Sequence, residues 1–231
     1  MSRRRCAHIL THVHDLHEAV RDLTAAGFDV TYASDPETAQ NAHVWFSEGP
    51  IIEIVTTPRR AALLRPLVAL RCGYGGGARM MRWARSGEGF CDLAVVADTD
   101  DLGAELRELR RLGCRTGKAV PWTRTRADGE RVEFAFGYPS SDRVPFLTTP
   151  YRPDQHPART SHANGATGVT RIGFGVAPEE REAVRLVIPD DPIVQFEESL
   201  RTGVRWVEMA GLKETVDPLF SHGAVFRPEG E

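Results

Sequence analysis

Apolar and polar residues of the first sixty positions alternate in ways that outline a β-α-β-β-β unit. In Cys6–Val13 the residues Ile9, Thr11 and Val13 share one face of a strand, while His8, Leu10, His12 and then His14 share the other. Leu16, Ala19, Val20 and Leu23 follow at helical spacing, with Asp15 placed as N-cap and Gly27 as the C-terminal stop. Phe28–Tyr32, Ala42–Phe46 and Ile51–Thr57 read as three further strands, the last two joined at Glu48-Gly49.

The pattern then repeats. Arg59–Leu70 predicts a short helix, and Gly73–Gly77 reads as a break and linker, lacking the Lys-Ser/Thr and flanking strand of a phosphate loop. Gly89–Ala97 opens the second copy with the strand CDLAVVAD (Cys91–Asp98), and Asp101–Leu112 is a helix ended by Gly113, matching the interval from Asp15 to Gly27. Strands at Ala119–Thr125, Val132–Phe136 and Val144–Thr149 complete the copy, and its tail Leu147-Thr148-Thr149-Pro150 echoes Val55-Thr56-Thr57-Pro58. The expected architecture is α+β: tandem βαβββ modules at 1–58 and 89–150, forming a shared cleft. Residues 59–88 are the helix and Gly-rich linker between them. Residues 151–231 hold a connector and a C-terminal β extension or partial third module, with strands near Val169–Val176, Ile193–Glu198 and Val204–Met209.

Composition narrows the function classes. The 231 residues carry 29 Lys plus Arg against 32 Asp plus Glu, a net charge of -3, which offers no general attraction to nucleic acid or an anionic membrane. The one basic run, Arg3–Arg5, reads as a solvated terminus. No apolar stretch approaches the roughly 20 residues of a membrane span. The four cysteines are widely spaced without a CxxC pair, so free thiols and a cytoplasmic location are expected.

Histidine is concentrated where the first module begins: His8, His12, His14 and His17 are four of the eight. Glu53 interrupts the apolar run IIEIV, and a buried carboxylate needs a partner, for which His8 is the natural candidate. His14 and His17 are expected at the surface, and the four tryptophans in the core.

Taken in order, HILTHVHDLHEAVRDLTAAGF, NAHVWFSEGPIIEIV, RADGERVEFAF, VPFLTTPYRP and SHANGATGV resemble words of the vicinal oxygen chelate superfamily, within it the glyoxalase-like domain proteins. The resemblance covers nearly the whole chain. It implies two curved modules enclosing a cleft that commonly holds a divalent metal. On it, His8 and Glu53 occupy the metal-ligand positions of the first module, a donor pair suited to Zn, Ni, Co, Mn or Fe(II). Counting through the second module places Ala94 and Pro145 at the matching positions. His12 is a candidate third ligand or general base, and His162 and Glu133 are further catalytic candidates. His43, Asn164, Arg124 and Asp92 are candidates for substrate binding; Arg124 and Arg126 flank a turn and either pair an anionic substrate or belong to a solvated hairpin, the more ordinary reading for both. The implied function is an enzyme acting on a small oxygenated metabolite by isomerase, lyase or dioxygenase chemistry. The alternatives are a metal-free binding or sequestration protein and a metal-free acid–base enzyme in the same cleft. A homodimer is compatible with either.

Overall fold

The computed structural model describes residues 3–58, 61–126 and 128–231. The first module consists of β1 (Arg4–His12), α1 (Leu16–Ala25), β2 (Val30–Tyr32), β3 (Asn41–Val44) and β4 (Ile51–Val55). The second consists of β5 (Gly89–Ala97), α4 (Leu102–Arg111), β6 (Val120–Thr125), β7 (Arg131–Gly137) and β8 (Phe146–Thr148). Between them lie α2 (Ala61–Cys72) and α3 (Tyr74–Arg85).

The duplication extends to the helix ends. Asp15 accepts from the Glu18 amide at 3.0 Å and Asp101 from the Ala104 amide at 2.9 Å, the same cap in both copies. Gly27 and Gly113 close the helices with φ of 86° and 101°, each followed by a residue whose amide donates a hydrogen bond back to the last turn, Phe28 to the Leu23 carbonyl and Cys114 to the Leu109 carbonyl.

The eight strands form one sheet in the order β2-β3-β4-β1-β5-β8-β7-β6, each module contributing half. β1 and β5 meet antiparallel at the centre, with His8 opposite Ala94. β4 runs parallel to β1 with Ile51 beside His8, and β8 runs parallel to β5 with Phe146 beside Ala94. Two residues further on, Leu10 faces Glu53 and Val96 faces Thr148. The counterpart of Glu53 is therefore Thr148 and not Pro145. The similar tails of the two modules suggest the wrong offset, because the pairing of β8 with β5 sets the register.

One face of the sheet carries the main core. There α1 and α4 pack together with a second, four-stranded sheet, ordered β10 (Val194–Glu198), β9 (Gly168–Val176), β11 (Gly203–Ala210), β12 (Phe226–Pro228). Ile9, Leu93 and Val95 of the large sheet join Phe174, Val207 and Phe226 of the small one in that core. The other face bears a small cluster of Leu10, Val55, Cys91, Ala94 and Phe146, with Trp83 of α3 against it. All four cysteines are free and buried.

Two expectations are corrected here. The Gly-rich run is the first turn of α3, with Gly73 (φ 83°) as its N-cap. A Cβ on Gly75 would stand 1.9 Å from the Pro139 carbonyl oxygen, and one on Gly76 would lie 2.7 Å from Cys72 Cβ. Glycine lets the helix press onto the Tyr138–Ser140 loop and α2, a reason that no local pattern carries. Arg4 is not solvated: it is 2% exposed and its Nη2 donates to Glu105 at 2.7 Å.

Candidate functional site

The face of the sheet away from the main core encloses a cavity of about 380 Å³. The first module supplies its polar end and the second an arginine and an aromatic wall. Strand alternation explains both. His8 and Leu10 project from β1 into the cavity, Glu53 and Val55 from β4, and Asn41 from β3. On the β6–β7 hairpin Trp122 pairs with Phe134 and both line the cavity, whereas Thr123 and Glu133 pair on the opposite face.

Glu53 is the centre of the polar end. Its Oε1 accepts from the Asn41 amide at 2.8 Å and its Oε2 lies 3.1 Å from His8 Nδ1. Burial pushes the Glu53 carboxyl up, but the interactions with His43 and His8 outweigh it and hold the group well below the usual carboxylate range. An ionised carboxylate only accepts, so His8 Nδ1 donates and any lone pair on the ring is at Nε2. Among the described residues Nε2 has no hydrogen-bond partner. His43, directly across from Glu53 on β3, is buried with its Nε2 at 3.8 Å from the carboxylate and without a hydrogen bond. Burial lowers its pKa against the opposing pull of Glu53.

Tyr151 bridges the two halves. Its ring stacks on His8 at 5.4 Å between centroids, meets Phe134 edge-on at 5.0 Å, and lies 5.1 Å beneath the Arg124 guanidinium. Burial raises the Tyr151 hydroxyl pKa, the charge of Glu53 adds to this, and Arg124 opposes it. Arg124 itself makes no hydrogen bond or ion pair among the described residues, and its Nε is buried without an acceptor.

Of the residues singled out by sequence, the cavity gathers His8, Glu53 and Arg124, with His43 beneath the carboxylate. The others lie elsewhere. His12 sits past an irregularity in the β1–β5 pairing and lines a second pocket with His14, its nitrogens 3.4 Å from the Gly87 carbonyl and 3.3 Å from Thr57 Oγ1. Burial lowers its pKa, over the opposing Gly87 carbonyl. His162 is a fastener: Nδ1 accepts from the Asp29 amide at 2.9 Å and Nε2 bonds the Trp45 carbonyl at 3.0 Å. Asn164 donates to the Ala26 carbonyl at 3.0 Å and accepts from the Ala166 amide, tying its turn to the end of α1. Glu133 faces solvent beside Arg131. Asp92 is enclosed by Arg79 at 2.6 Å, Arg82 at 3.0 Å and Trp83 Nε1 at 3.1 Å, which leaves its oxygens no ligand to bind.

Sequence reasoning missed Asn41, Tyr151 and the cavity-facing Trp83 and Trp122. Asn41 stands two residues before His43 and so shares its face, a signal open to inspection. Tyr151 lies in an irregular connector, where no periodicity points to it.

The donor set does not suit a divalent metal. Of the four positions related by the module symmetry, Ala94 has no donor atom, and the Thr148 hydroxyl is turned to the Ala135 carbonyl at 3.1 Å. The remaining pair, His8 and Glu53, bond one another. Among the described residues no group of three or more His, Cys, Asp or Glu converges to hold an ion. No helix there is long and apolar enough to cross a membrane.

Comparison with solved structures returns the same fold at low identity. A hypothetical protein from Staphylococcus aureus aligns at TM-score 0.72 and 10% identity, over 98% of this chain and 99% of that one. A Mn(II)-bound glyoxalase from Novosphingobium aromaticivorans aligns at TM-score 0.52 and 12% identity, over 96% and 70%. A mutant 4-hydroxymandelate synthase from Streptomyces coelicolor aligns at 0.51 and 13%, over 91% and 71%. No match was found among curated proteins. A family profile for the glyoxalase-like domain matches residues 7–187, and with its tandem βαβββ fold this chain belongs to that family of the vicinal oxygen chelate superfamily.

Proposed function

We propose that the chain is an acid–base enzyme that acts on a small oxygenated molecule in the inter-module cleft without a metal, with His8 as the proton carrier. The observation that carries this reading is the His8–Glu53 bond at 3.1 Å, which fixes the tautomer and leaves Nε2 free in the cavity. In the proposed reaction His8 Nε2 takes a proton from a carbon next to a carbonyl. The electron pair moves onto the carbonyl oxygen as an enolate, and Arg124 stabilises that charge across the cleft. Return of the proton from His8 to a different position or face completes an isomerisation or epimerisation. Glu53 holds the imidazolium in place and Tyr151 stacks against it.

The second reading, a protein that binds and sequesters its ligand without turnover, is favoured by the aromatic lining. Proton exchange separates the two. Ketones and 2-oxo acids bearing an aryl group are incubated with the protein in D2O and followed by proton NMR. The acid–base reading expects deuterium incorporation that falls by about 10²-fold or more in His8→Gln. Ligands that bind tightly with no exchange above the protein-free rate would leave the sequestration reading.

A further inference from the structure

We infer that the molecule held in this cleft is a planar aromatic anion, with its charged oxygens on Arg124 and its ring against the β6–β7 wall. The inference takes the cleft as the functional site, as proposed above, but does not depend on the proton step.

Arg124 stands apart from the arginines around it. Arg126, two residues on, is engaged by Asp128 at 3.2 Å, Glu130 at 3.4 Å and Gln155 at 2.8 Å. Arg131 pairs with Glu133 at 3.1 Å, and Arg152 with Asp100. Arg124 alone of this group points into the cavity, and among the described residues no carboxylate pairs with it. The carboxylate that lines the cavity with it, Glu53, is already engaged by Asn41 and His8 and forms no ion pair with it. A guanidinium with a buried, unbonded Nε and no counter-charge is a costly arrangement, because the charge is partly removed from water with only the face of the Tyr151 ring, 5.1 Å away, in exchange. An anionic oxygen pair from a ligand would supply both acceptors and charge in the geometry the planar fork prefers.

The remaining surface determines the rest of the ligand. Trp122, Phe134 and Phe136 line the cavity from the β6–β7 hairpin, and Phe146, Tyr138 and Trp83 face it from β8, the loop before it and α3. Ring centroids lie 5.9 Å apart for Trp122–Phe136 and 5.3 Å for Phe136–Tyr138, tilted rather than stacked, so the rings present both faces and edges. Such walls favour a flat π-system over a flexible chain of equal area. The volume of about 380 Å³ is near the lower end for small-molecule cavities, which suits one ring with a short acidic arm.

Calorimetric titration with three probes tests this: cinnamate, its neutral amide cinnamamide, and the aliphatic anion octanoate. Cinnamate is expected to bind about tenfold or more tightly than either of the others, and its affinity to fall as salt rises. Arg124→Gln, checked for fold by circular dichroism, is expected to bring cinnamate down to the affinity of the amide while leaving the amide unchanged. Equal binding of acid and amide, an unaffected Arg124→Gln variant, or no cinnamate binding at millimolar concentration overturns the anion assignment. Octanoate binding as tightly as cinnamate overturns the aromatic one. Binding of cinnamate through Arg124 with no proton exchange keeps this inference and sinks the acid–base reading. Exchange confined to neutral ligands does the reverse.

Discussion

Replacing Asp92 with alanine tests whether this carboxylate is structural rather than part of the ligand site. Asp92 is 4% exposed, and its oxygens accept from Arg79 Nη1 at 2.7 and 2.6 Å, Arg82 Nη2 at 3.0 Å, Trp83 Nε1 at 3.1 Å and the Leu93 amide at 2.9 Å. Arg79 is 1% exposed and keeps only carbonyl partners, Val144 at 2.8 Å and Ser141 at 3.3 Å, once the carboxylate is gone. Stranding a buried cation in this way costs about 3–5 kcal/mol. For a chain of this length that is a fall in melting temperature of roughly 6–20 °C, at ~2–4 °C per kcal/mol. Urea denaturation followed by circular dichroism gives the free energy, and a cycle with Arg79→Leu gives the coupling. The double variant is expected to recover part of the loss, because with leucine at 79 the loss of the carboxylate no longer strands that buried cation. Arg79 also lies 5.1 Å from the Tyr138 ring and 5.6 Å from Phe146, two walls of the cavity, so ligand affinity is expected to weaken indirectly. A loss under about 1 kcal/mol, or strictly additive single effects, would refute the buried-pair argument.

Two further outcomes are expected. Gly75→Ala places a methyl group against the Pro139 carbonyl and should destabilise by ~1–3 kcal/mol or more in the same urea assay; an unchanged midpoint would mean that α3 does not pack on that loop as closely as 1.9 Å requires. Stability should also fall with acidification in two ranges. His43 has a lowered pKa in the folded state, so its share of stability is full above the unfolded value of ~6.5 and declines as pH drops below it toward the folded value. Glu53 is held low, so its share is present above ~4.3 and is lost as pH falls from there through its folded pKa. His43→Gln should remove the first slope and Glu53→Gln the second; equilibrium unfolding between neutral pH and about pH 2 shows whether the slopes belong to these residues.

The sequence made the two modules legible because their information is local. Hydrophobic period, the Asp15 and Asp101 caps and the Gly27 and Gly113 stops each act within a few residues, and each recurs at the same interval. The partnership of His8 with Glu53 was also legible, since a carboxylate within IIEIV must find a donor. Candidates that depended on extending a strand pattern past an irregularity, such as His12, ended in a different pocket. Glu133 lies one residue from Phe134, and on a strand that single step separates solvent from the cleft.

What the chain determines by itself, then, is the order of elements, the location of the polar pair and the likeness of the two halves. Tertiary structure decides which residues complete the site. Strand register puts Thr148 in the position of Glu53, because hydrogen bonding between β5 and β8 sets the pairing and similar tails do not. Long-range packing brings Tyr151 over His8 and leaves Arg124 without a counter-charge among the described residues. It also buries Asp92 under Arg79 and fits the glycines of α3 against the loop at Pro139. Each of these depends on which distant groups satisfy one another's charge, volume and hydrogen bonds, and that is settled only when the sheets close.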